Sequence, residues 1–91
     1  MNVTVRYMAQ LRQAAGVGVE QIELNRPCSV GDLMRHVADR RGGQFRDLML
    51  DAEGQIRPAV LLFIGDEQVA ADRPALRDGD VATVLTPMAG G

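Results

Sequence analysis

The last six residues of the chain, Thr86-Pro87-Met88-Ala89-Gly90-Gly91, are the strongest candidates for a chemical role. At an average glycine usage of about 7%, a chain ends in two glycines by chance in roughly 0.5% of cases. Two other interpretations stay open for the pair taken alone, a chain end without function and a remnant of an expression tag. The residues around the pair must therefore decide what the ending does.

Other reactive side chains form no recognisable catalytic set. Cys28 precedes a predicted helix start, where a thiolate is favoured, but a small structural cysteine is the simpler interpretation. His36 falls off the apolar stripe of that helix and is predicted to be a solvated surface residue. No metal-ligand spacing, glycine-rich phosphate loop or Ser/His/Asp set occurs in the sequence. We therefore expect no metal site, no bound cofactor and no independent enzyme activity.

Length and composition favour one small globular domain. The chain has 91 residues, of which 46% are hydrophobic and 24% charged, which is typical of a soluble domain with a single core. All ten positive charges are arginines, set against twelve acidic residues for a net charge of −2. Such a balance does not attract nucleic acid or an anionic membrane. A lysine-free chain also offers no side-chain amine for self-linked isopeptide chains.

The redox and targeting signals predict a cytoplasmic protein. Cys28 is the single cysteine, so no internal disulfide forms. The N-terminal residues lack the charged and apolar regions of a signal peptide. The longest apolar run, Ala59 to Ile64, is far shorter than the ~20 residues that cross a bilayer.

The first half of the chain predicts a hairpin followed by a helix. Alternation of polar and apolar residues predicts a half-buried strand over Asn2 to Tyr7, and a second over Glu20 to Leu24, joined through a short helical stretch at Ala9 to Ala15 and a Gly16-Val17-Gly18 turn. Ser29 and Asp32 form a capping pattern at the start of a helix. The apolar residues of that helix recur with its period: Val30, Leu33, Met34, Val37 and Ala38. Gly42-Gly43 is predicted to end it.

The second half predicts three more strands. Its segments are a connection over Gln44 to Arg57 with one helical turn, a strand over Ala59 to Ile64, an edge strand over Glu67 to Val69, an Asp78-Gly79-Asp80 turn, and a strand over Val81 to Thr86 that Pro87 ends. Because Ala59 to Ile64 is apolar on both faces, we expect it in the middle of the sheet with both sides covered. The order predicts an α+β fold of the β-grasp, ubiquitin-like type, with a four- to five-stranded mixed sheet packed on one main helix. Residues 1–86 would form the β-grasp domain, and residues 87–91 an extended C-terminal Gly-Gly tail.

Three segments together resemble the MoaD/ThiS family of ubiquitin-like sulfur-carrier proteins, and the resemblance covers essentially the whole chain. They are the opening strand Val3-Thr4-Val5-Arg6-Tyr7, the helix start Pro27-Cys28-Ser29-Val30-Gly31-Asp32-Leu33, and the ending D-G-D-x-x-x-x-x-x-P-x-x-G-G. The ending is the specific part, and the other two are supportive. The family includes the small subunit of molybdopterin synthase, the thiamine sulfur carrier and CysO-like cysteine sulfur carriers.

The resemblance implies that the carboxylate of Gly91 is the working group. A ubiquitin-activating-like adenylyltransferase would adenylate it with ATP, and sulfur would replace AMP to give a thiocarboxylate. A sulfur-accepting synthase or large subunit would then take the sulfur. Gly90, Ala89, Met88 and Pro87 would contact the partner, with Gly90 giving clearance in its active site and Pro87 stiffening the base of the tail. The protein is then a carrier and co-substrate that binds no cofactor, since the partner consumes the ATP.

Several alternatives stay open. Pro87 and Met88 are reminiscent of the molybdopterin-type ending, whereas the long Gln44 to Arg57 connection and the Arg57 to Glu67 run look more like cysteine-biosynthesis carriers. A ubiquitin-like modifier joined through Gly91 to lysines of other proteins would share the activation step. A β-grasp interaction module with an idle tail is the third hypothesis, and it predicts full function without the two glycines. Partner docking is expected on the exposed sheet face and the last strand, and any of Leu62, Phe63 and Ile64 that is exposed would mark the interface.

Overall fold

A computed structural model describes residues 1–72 and 74–87 of the chain. This part contains the following elements in order: β1 (Asn2–Tyr7), α1 (Ala9–Ala15), β2 (Val19–Glu23), α2 (Val30–Arg41), α3 (Gly43–Met49), β3 (Leu61–Ile64), β4 (Glu67–Val69) and β5 (Val81–Leu85). The strands form one sheet in the order β2-β1-β5-β3-β4. β1 and β5 are parallel, and the other neighbouring pairs are antiparallel. The predicted α+β, β-grasp architecture with a mixed sheet of four to five strands is confirmed, and the sheet has five.

The core lies between one face of the sheet and α2, and α1 and α3, which contact each other, pack against it. Its buried apolar residues are Val3, Val5, Tyr7, Leu11, Ile22, Val30, Leu33, Met34, Val37, Ala38, Phe45, Met49, Leu50, Val60, Leu62, Leu76, Ala82 and Val84. All five residues of the predicted helix stripe belong to it, because a period of 3.6 residues places them on one side of α2. The Tyr7 and Phe45 rings meet edge to face at 5.4 Å, which is the favoured geometry for an aromatic pair.

The predicted ends of the main helix are also confirmed. The Asp32 backbone N–H donates to Ser29 Oγ at 3.1 Å, so the hydroxyl satisfies one of the N–H groups that a helix start leaves unpaired. At the other end, the Gly42 N–H donates to the Ala38 carbonyl at 2.8 Å. Gly42 has φ of 63°, a left-handed value that glycine adopts without steric cost. The chain then turns directly into α3.

The strand predicted over Ala59 to Ile64 differs in extent and surroundings. β3 begins at Leu61, since the Val60 N–H donates to the Arg57 carbonyl at 3.0 Å and holds the preceding residues in a turn. The strand has neighbours on both sides, but β5 rather than β3 occupies the middle of the sheet. Only one face of β3 is covered, because a single helical layer packs on this sheet. The prediction of two covered sides was therefore wrong.

Two further strands differ from their predicted bounds by one residue. β2 spans Val19–Glu23 rather than Glu20 to Leu24, and β5 ends at Leu85 rather than Thr86. In residues 1–72 and 74–87, no helix has the length and apolar character needed to cross a membrane.

Candidate functional site

The tail leaves the sheet from its middle strand. β5 lies between β1 and β3, and the Met8 N–H donates to the Val84 carbonyl at 3.1 Å, which holds the end of β5 beside the end of β1. Thr86 is 7% exposed, and its hydroxyl oxygen has no hydrogen-bond partner among the described residues. Pro87 is exposed, so the chain emerges from the core at this residue.

The other four predicted site residues, Met88, Ala89, Gly90 and Gly91, lie outside the described residues. Their roles, and the division into residues 1–86 and 87–91, remain predictions. What the described chain does provide is the position from which the tail starts.

The Asp78-Gly79-Asp80 turn fixes the start of β5 against the start of β1. Asp78 Oδ1 accepts from the Asn2 N–H, and the Gly79 N–H donates to the Asn2 carbonyl, both at 2.7 Å. Asp80 Oδ2 accepts from the Arg77 N–H at 2.8 Å, which closes the turn. Gly79 has φ of 86°, a value that favours glycine. Since a strand slipped by one residue turns its other face to the core, this motif determines where the tail departs.

The sheet face turned away from α2, here called the open face, is apolar around β3 and β5. Leu61 lies opposite Leu85 and Phe63 opposite Thr83, and all four are half-buried. None of them belongs to the core or packs against it, because alternate residues of a strand point to opposite faces. Of the three residues considered from sequence, Leu62 is core and Ile64 packs against the core, so Phe63 is the one on the open face.

The open face continues toward the start of α1. Met8 is 39% exposed and extended, with φ of −122° and ψ of 156°. It follows the buried Tyr7, so its side chain lies on the open face beside Leu85. Val19 pairs with Arg6 on the same face and is 54% exposed. Met8 thus extends the apolar surface of Leu61, Phe63 and Leu85 beside the point where the tail leaves, whereas the exposed Arg6 stands between this surface and Val19. Met8 and Val19 were not predicted to lie on the open face, because alternation alone cannot say which face stays uncovered.

A polar cluster fastens β2 to the end of α2 at the margin of the core. The Tyr7 hydroxyl donates to Glu20 Oε1, and the Arg41 guanidinium donates to the same oxygen at 3.0 Å. Arg41 also donates to the Ala15 carbonyl at 2.9 Å and lies 5.3 Å from the centroid of the Tyr7 ring. No local pattern predicts this cluster, because its members are 13 and 21 residues apart.

The pKa values in the cluster follow from burial and charge. Burial, with the hydrogen bond to Glu20, raises the pKa of Tyr7 far above its ordinary value. Burial alone would raise the pKa of Glu20, but the hydrogen bonds from Tyr7 and Arg41 outweigh it and lower that pKa. Near neutral pH the cluster therefore holds a neutral phenol, a carboxylate and a guanidinium, a set that stabilises the fold.

Cys28 and His36 occupy the positions expected of structural and surface residues. Cys28 packs against the core, and burial together with the negative charge of Asp32 raises the pKa of its thiol. A protonated thiol is a poor nucleophile, so the structural interpretation fits. His36 is exposed on α2. In the described residues, no group of three His, Cys, Asp or Glu side chains could hold a metal ion.

The helix start that carried part of the resemblance has a packing role. The Gly31 N–H donates to the Ala71 carbonyl at 2.7 Å, and the Leu76 N–H donates to the Cys28 carbonyl at 2.8 Å. A Cβ on Gly31 would stand 2.4 Å from the Ala71 oxygen. Only glycine permits this approach, so the segment before β5 is held across the start of α2.

Comparisons with known proteins identify a family and similar folds. The ThiS family model matches residues 5–91. Small archaeal modifier protein 3 of Haloferax volcanii is 32% identical over 94 residues, covering 100% of both chains. A chain of the Amycolatopsis orientalis BexX/CysO complex is 26% identical with a TM-score of 0.67, covering 98% of this chain and 99% of that one. The crystal structure of SAMP1 from Haloferax volcanii has a TM-score of 0.83 over 100% of both chains, and its 18% identity makes it a likeness of fold.

The family model matches nearly the whole length of the chain, and the chain has the β-grasp sheet that the resemblance implied. The chain belongs to the ThiS family, a group of small ubiquitin-like proteins that serve as sulfur carriers or modifiers.

Proposed function

We propose that this protein carries sulfur as a thiocarboxylate on Gly91. The observation that carries the proposal is the Gly90-Gly91 ending in a member of the ThiS family. The exit of the chain at Pro87, from a strand anchored at both ends, supports it. A rigid domain then presents a short tail whose terminal carboxylate can enter the active site of a partner.

The proposed chemistry starts with a carboxylate, which is a poor electrophile because attack on it would have to expel an oxide. The activating enzyme joins the Gly91 carboxylate to AMP and releases pyrophosphate from ATP. Hydrosulfide then attacks the acyl carbon, and AMP departs with the bonding electrons. The product is an anionic thiocarboxylate, whose soft sulfur can pass to an activated acceptor without release of free sulfide.

The proposed roles of the other tail residues follow from size and stiffness. Gly90 has no Cβ, so the chain next to the carboxylate would be slim enough to enter the partner's active site. Pro87, with φ held near −65°, would limit the freedom lost when the tail inserts. Met88 would be an adaptable apolar contact, with Ala89 as a small spacer between it and the glycines.

We propose that the activating adenylyltransferase and the sulfur acceptor dock on the open face. Leu61, Phe63, Leu85 and Met8 form a half-buried to exposed apolar surface beside the start of the tail. Apolar surface grouped in this way is typical of protein interfaces. A partner seated there would have the tail within reach. The acceptor that docks would determine the sulfur pathway, whether toward molybdopterin, thiamine, cysteine or another metabolite. The proposed location of the protein is the cytoplasm, together with that acceptor.

A second candidate function is protein modification through Gly91. The observation favouring it is the 32% identity to a protein named small archaeal modifier protein 3. Both functions begin with adenylation, so their products separate them. A modifier would form an isopeptide bond to a lysine of another protein, with loss of AMP, rather than a stable thiocarboxylate.

Intact mass spectrometry tests the proposal. The protein is incubated with ATP, sodium sulfide and candidate activating enzymes, and a gain equal to the mass difference between sulfur and oxygen is expected. A variant lacking Gly91 is the matched control and should not gain mass. Adducts to lysines of added proteins, without a thiocarboxylate, would favour the modifier instead.

A further inference from the structure

A groove of about 470 Å³ lies between β2 and α2, at the edge of the sheet. Its lining includes Gln21 and Glu23 on the strand side and Leu33, His36 and Arg40 on the helix side. The helical residues share one side of α2 because they are spaced three, four and seven positions apart. The proposed sulfur chemistry uses none of these residues.

The strand beside the groove has a free edge. β2 is the first strand in the sheet order and pairs only with β1 among the described strands. Met1 and Leu24 exchange two hydrogen bonds, of 2.7 and 3.0 Å, and the Tyr7 N–H donates to the Gly18 carbonyl at 2.9 Å. Hydrogen-bonded pairs alternate along an antiparallel ladder. The backbone groups of Gln21 and Glu23 therefore point away from β1.

We propose that this edge and groove bind an extended segment of a partner polypeptide, which joins the sheet as a sixth strand next to β2. The free N–H and C=O groups of Gln21 and Glu23 are a template for main-chain hydrogen bonds with such a segment. Alternate side chains of the segment enter the groove, over Leu33 and Cys28. An extended peptide strand can pair with the free edge of β2 and fill the groove at the same time.

The charges that line the groove favour a partner segment that carries acidic residues next to its apolar ones. The lining carries Arg26 and Arg40 together with Glu23 and Asp32. Asp32 already forms an ion pair with Arg35 at 2.5 Å, so its charge is matched within α2. The lining then has two arginines and one further carboxylate, that of Glu23, in a chain whose net charge is −2. As an alternate residue of β2, Glu23 points to the same side of the strand as Val19, away from the core. Complementary charge of this kind steers a partner and sets its register.

The groove is separate from the tail. β1 lies between β2 and β5, and the groove opens beside α2 rather than on the open face. A strand added to β2 leaves Leu61, Phe63 and Pro87 uncovered. The protein can therefore hold one partner through β2 while the tail is in the active site of another.

The test uses the full chain labelled with ¹⁵N and a synthetic peptide of alternating valine and threonine flanked by glutamates. Amide shifts are expected to concentrate on β2 and on the groove side of α2. The same peptide flanked by lysines should bind about two- to fivefold more weakly, and Arg40→Glu should weaken the glutamate peptide by a similar factor, a change on the scale of one exposed charge pair. Arg12→Glu, on α1 and outside the groove lining, is a matched control for net charge.

The backbone contribution has its own pair of variants. Gln21→Pro removes an N–H that points away from β1, where proline is tolerated on an edge strand, and should abolish binding. Gln21→Ala keeps that N–H and should bind like the natural chain. If Gln21→Pro does not fold, a peptide with a central proline replaces it as the test.

Several results would overturn the proposal. These are no amide shifts at millimolar peptide, shifts that centre on Leu61 and Phe63, equal binding of the lysine-flanked peptide, or full binding by folded Gln21→Pro.

Discussion

The contact between Gly31 and Ala71 predicts that Gly31→Ala destabilises the protein, although helix propensity alone would predict the opposite. Gly31 lies in the first turn of α2, and alanine is favoured over glycine inside a helix by about 1 kcal/mol. On propensity alone, Gly31→Ala would stabilise the protein. The Cβ, however, would stand 2.4 Å from the Ala71 oxygen and 2.9 Å from the Ala71 Cβ, so the segment before β5 must move.

The cost of that movement sets the magnitude. Displacing a packed backbone segment typically costs 1–3 kcal/mol, and losing the 2.7 Å hydrogen bond from the Gly31 N–H adds about 1 kcal/mol. These terms exceed the gain in propensity. We expect Gly31→Ala to lower the free energy of unfolding by about 2 kcal/mol, which for a domain of this size lowers Tm by roughly 10 °C.

Urea unfolding followed by circular dichroism measures the change directly. His36→Ala, on the exposed side of the same helix, is the matched control and should stay within about 0.5 kcal/mol of the natural chain. Gly31→Ala with equal or greater stability than the natural chain would refute the close approach of the two segments.

Two further predictions concern the polar cluster and the open face. The free energy of unfolding should fall as pH drops below 4.5, the ordinary pKa of Glu20, because its lowered pKa makes the folded state bind that proton less readily. The free energy of unfolding should fall again above pH 9 to 10, because the raised pKa values of Cys28 and Tyr7 keep both groups protonated in the folded state. Tyr7→Phe should lower the free energy of unfolding by about 2 kcal/mol at pH 7 and should reduce its fall at alkaline pH. Urea unfolding from pH 3 to 11 measures both effects, and an alkaline fall that is unchanged in Tyr7→Phe would count against the role of Tyr7. Phe63→Ser on the open face should raise the KM of the activating enzyme at least about tenfold, on the scale of an interface anchor, with stability lowered by less than about 1 kcal/mol. Gln44→Ser, at an exposed position of α3 on the helical side of the sheet, is the control, and equal KM values for the two variants would place docking elsewhere.

The sequence was sufficient for most of the fold because its local signals agreed with one another. Ser29 and Asp32 marked the start of α2, Gly42 its end, and the stripe from Val30 to Ala38 the side that packs on the sheet. Each of these signals acts within a few residues, where helix period and backbone sterics determine the outcome.

The errors and omissions came from contacts between distant residues. The apolar run from Ala59 to Ile64 predicted a strand covered on both faces. Whether both faces of a sheet are covered depends on the number of helical layers, and with one layer Phe63 lies on the open face. The Tyr7, Glu20 and Arg41 cluster joins residues that only the folded chain brings together. The groove beside β2 likewise depends on sheet order. For the tail, the resemblance of the sequence to the family predicted Gly91 as the reactive residue, and the fold shows that the chain leaves the sheet at Pro87.

The most direct test of the central claim is the intact mass of the full chain after reaction with ATP, sodium sulfide and its activating enzyme. The proposed function predicts replacement of one oxygen by sulfur, located at Gly91 by fragmentation and absent from the variant that lacks this residue. No sulfur gain with any candidate activating enzyme from the same cell, or a gain that persists without Gly91, would contradict it.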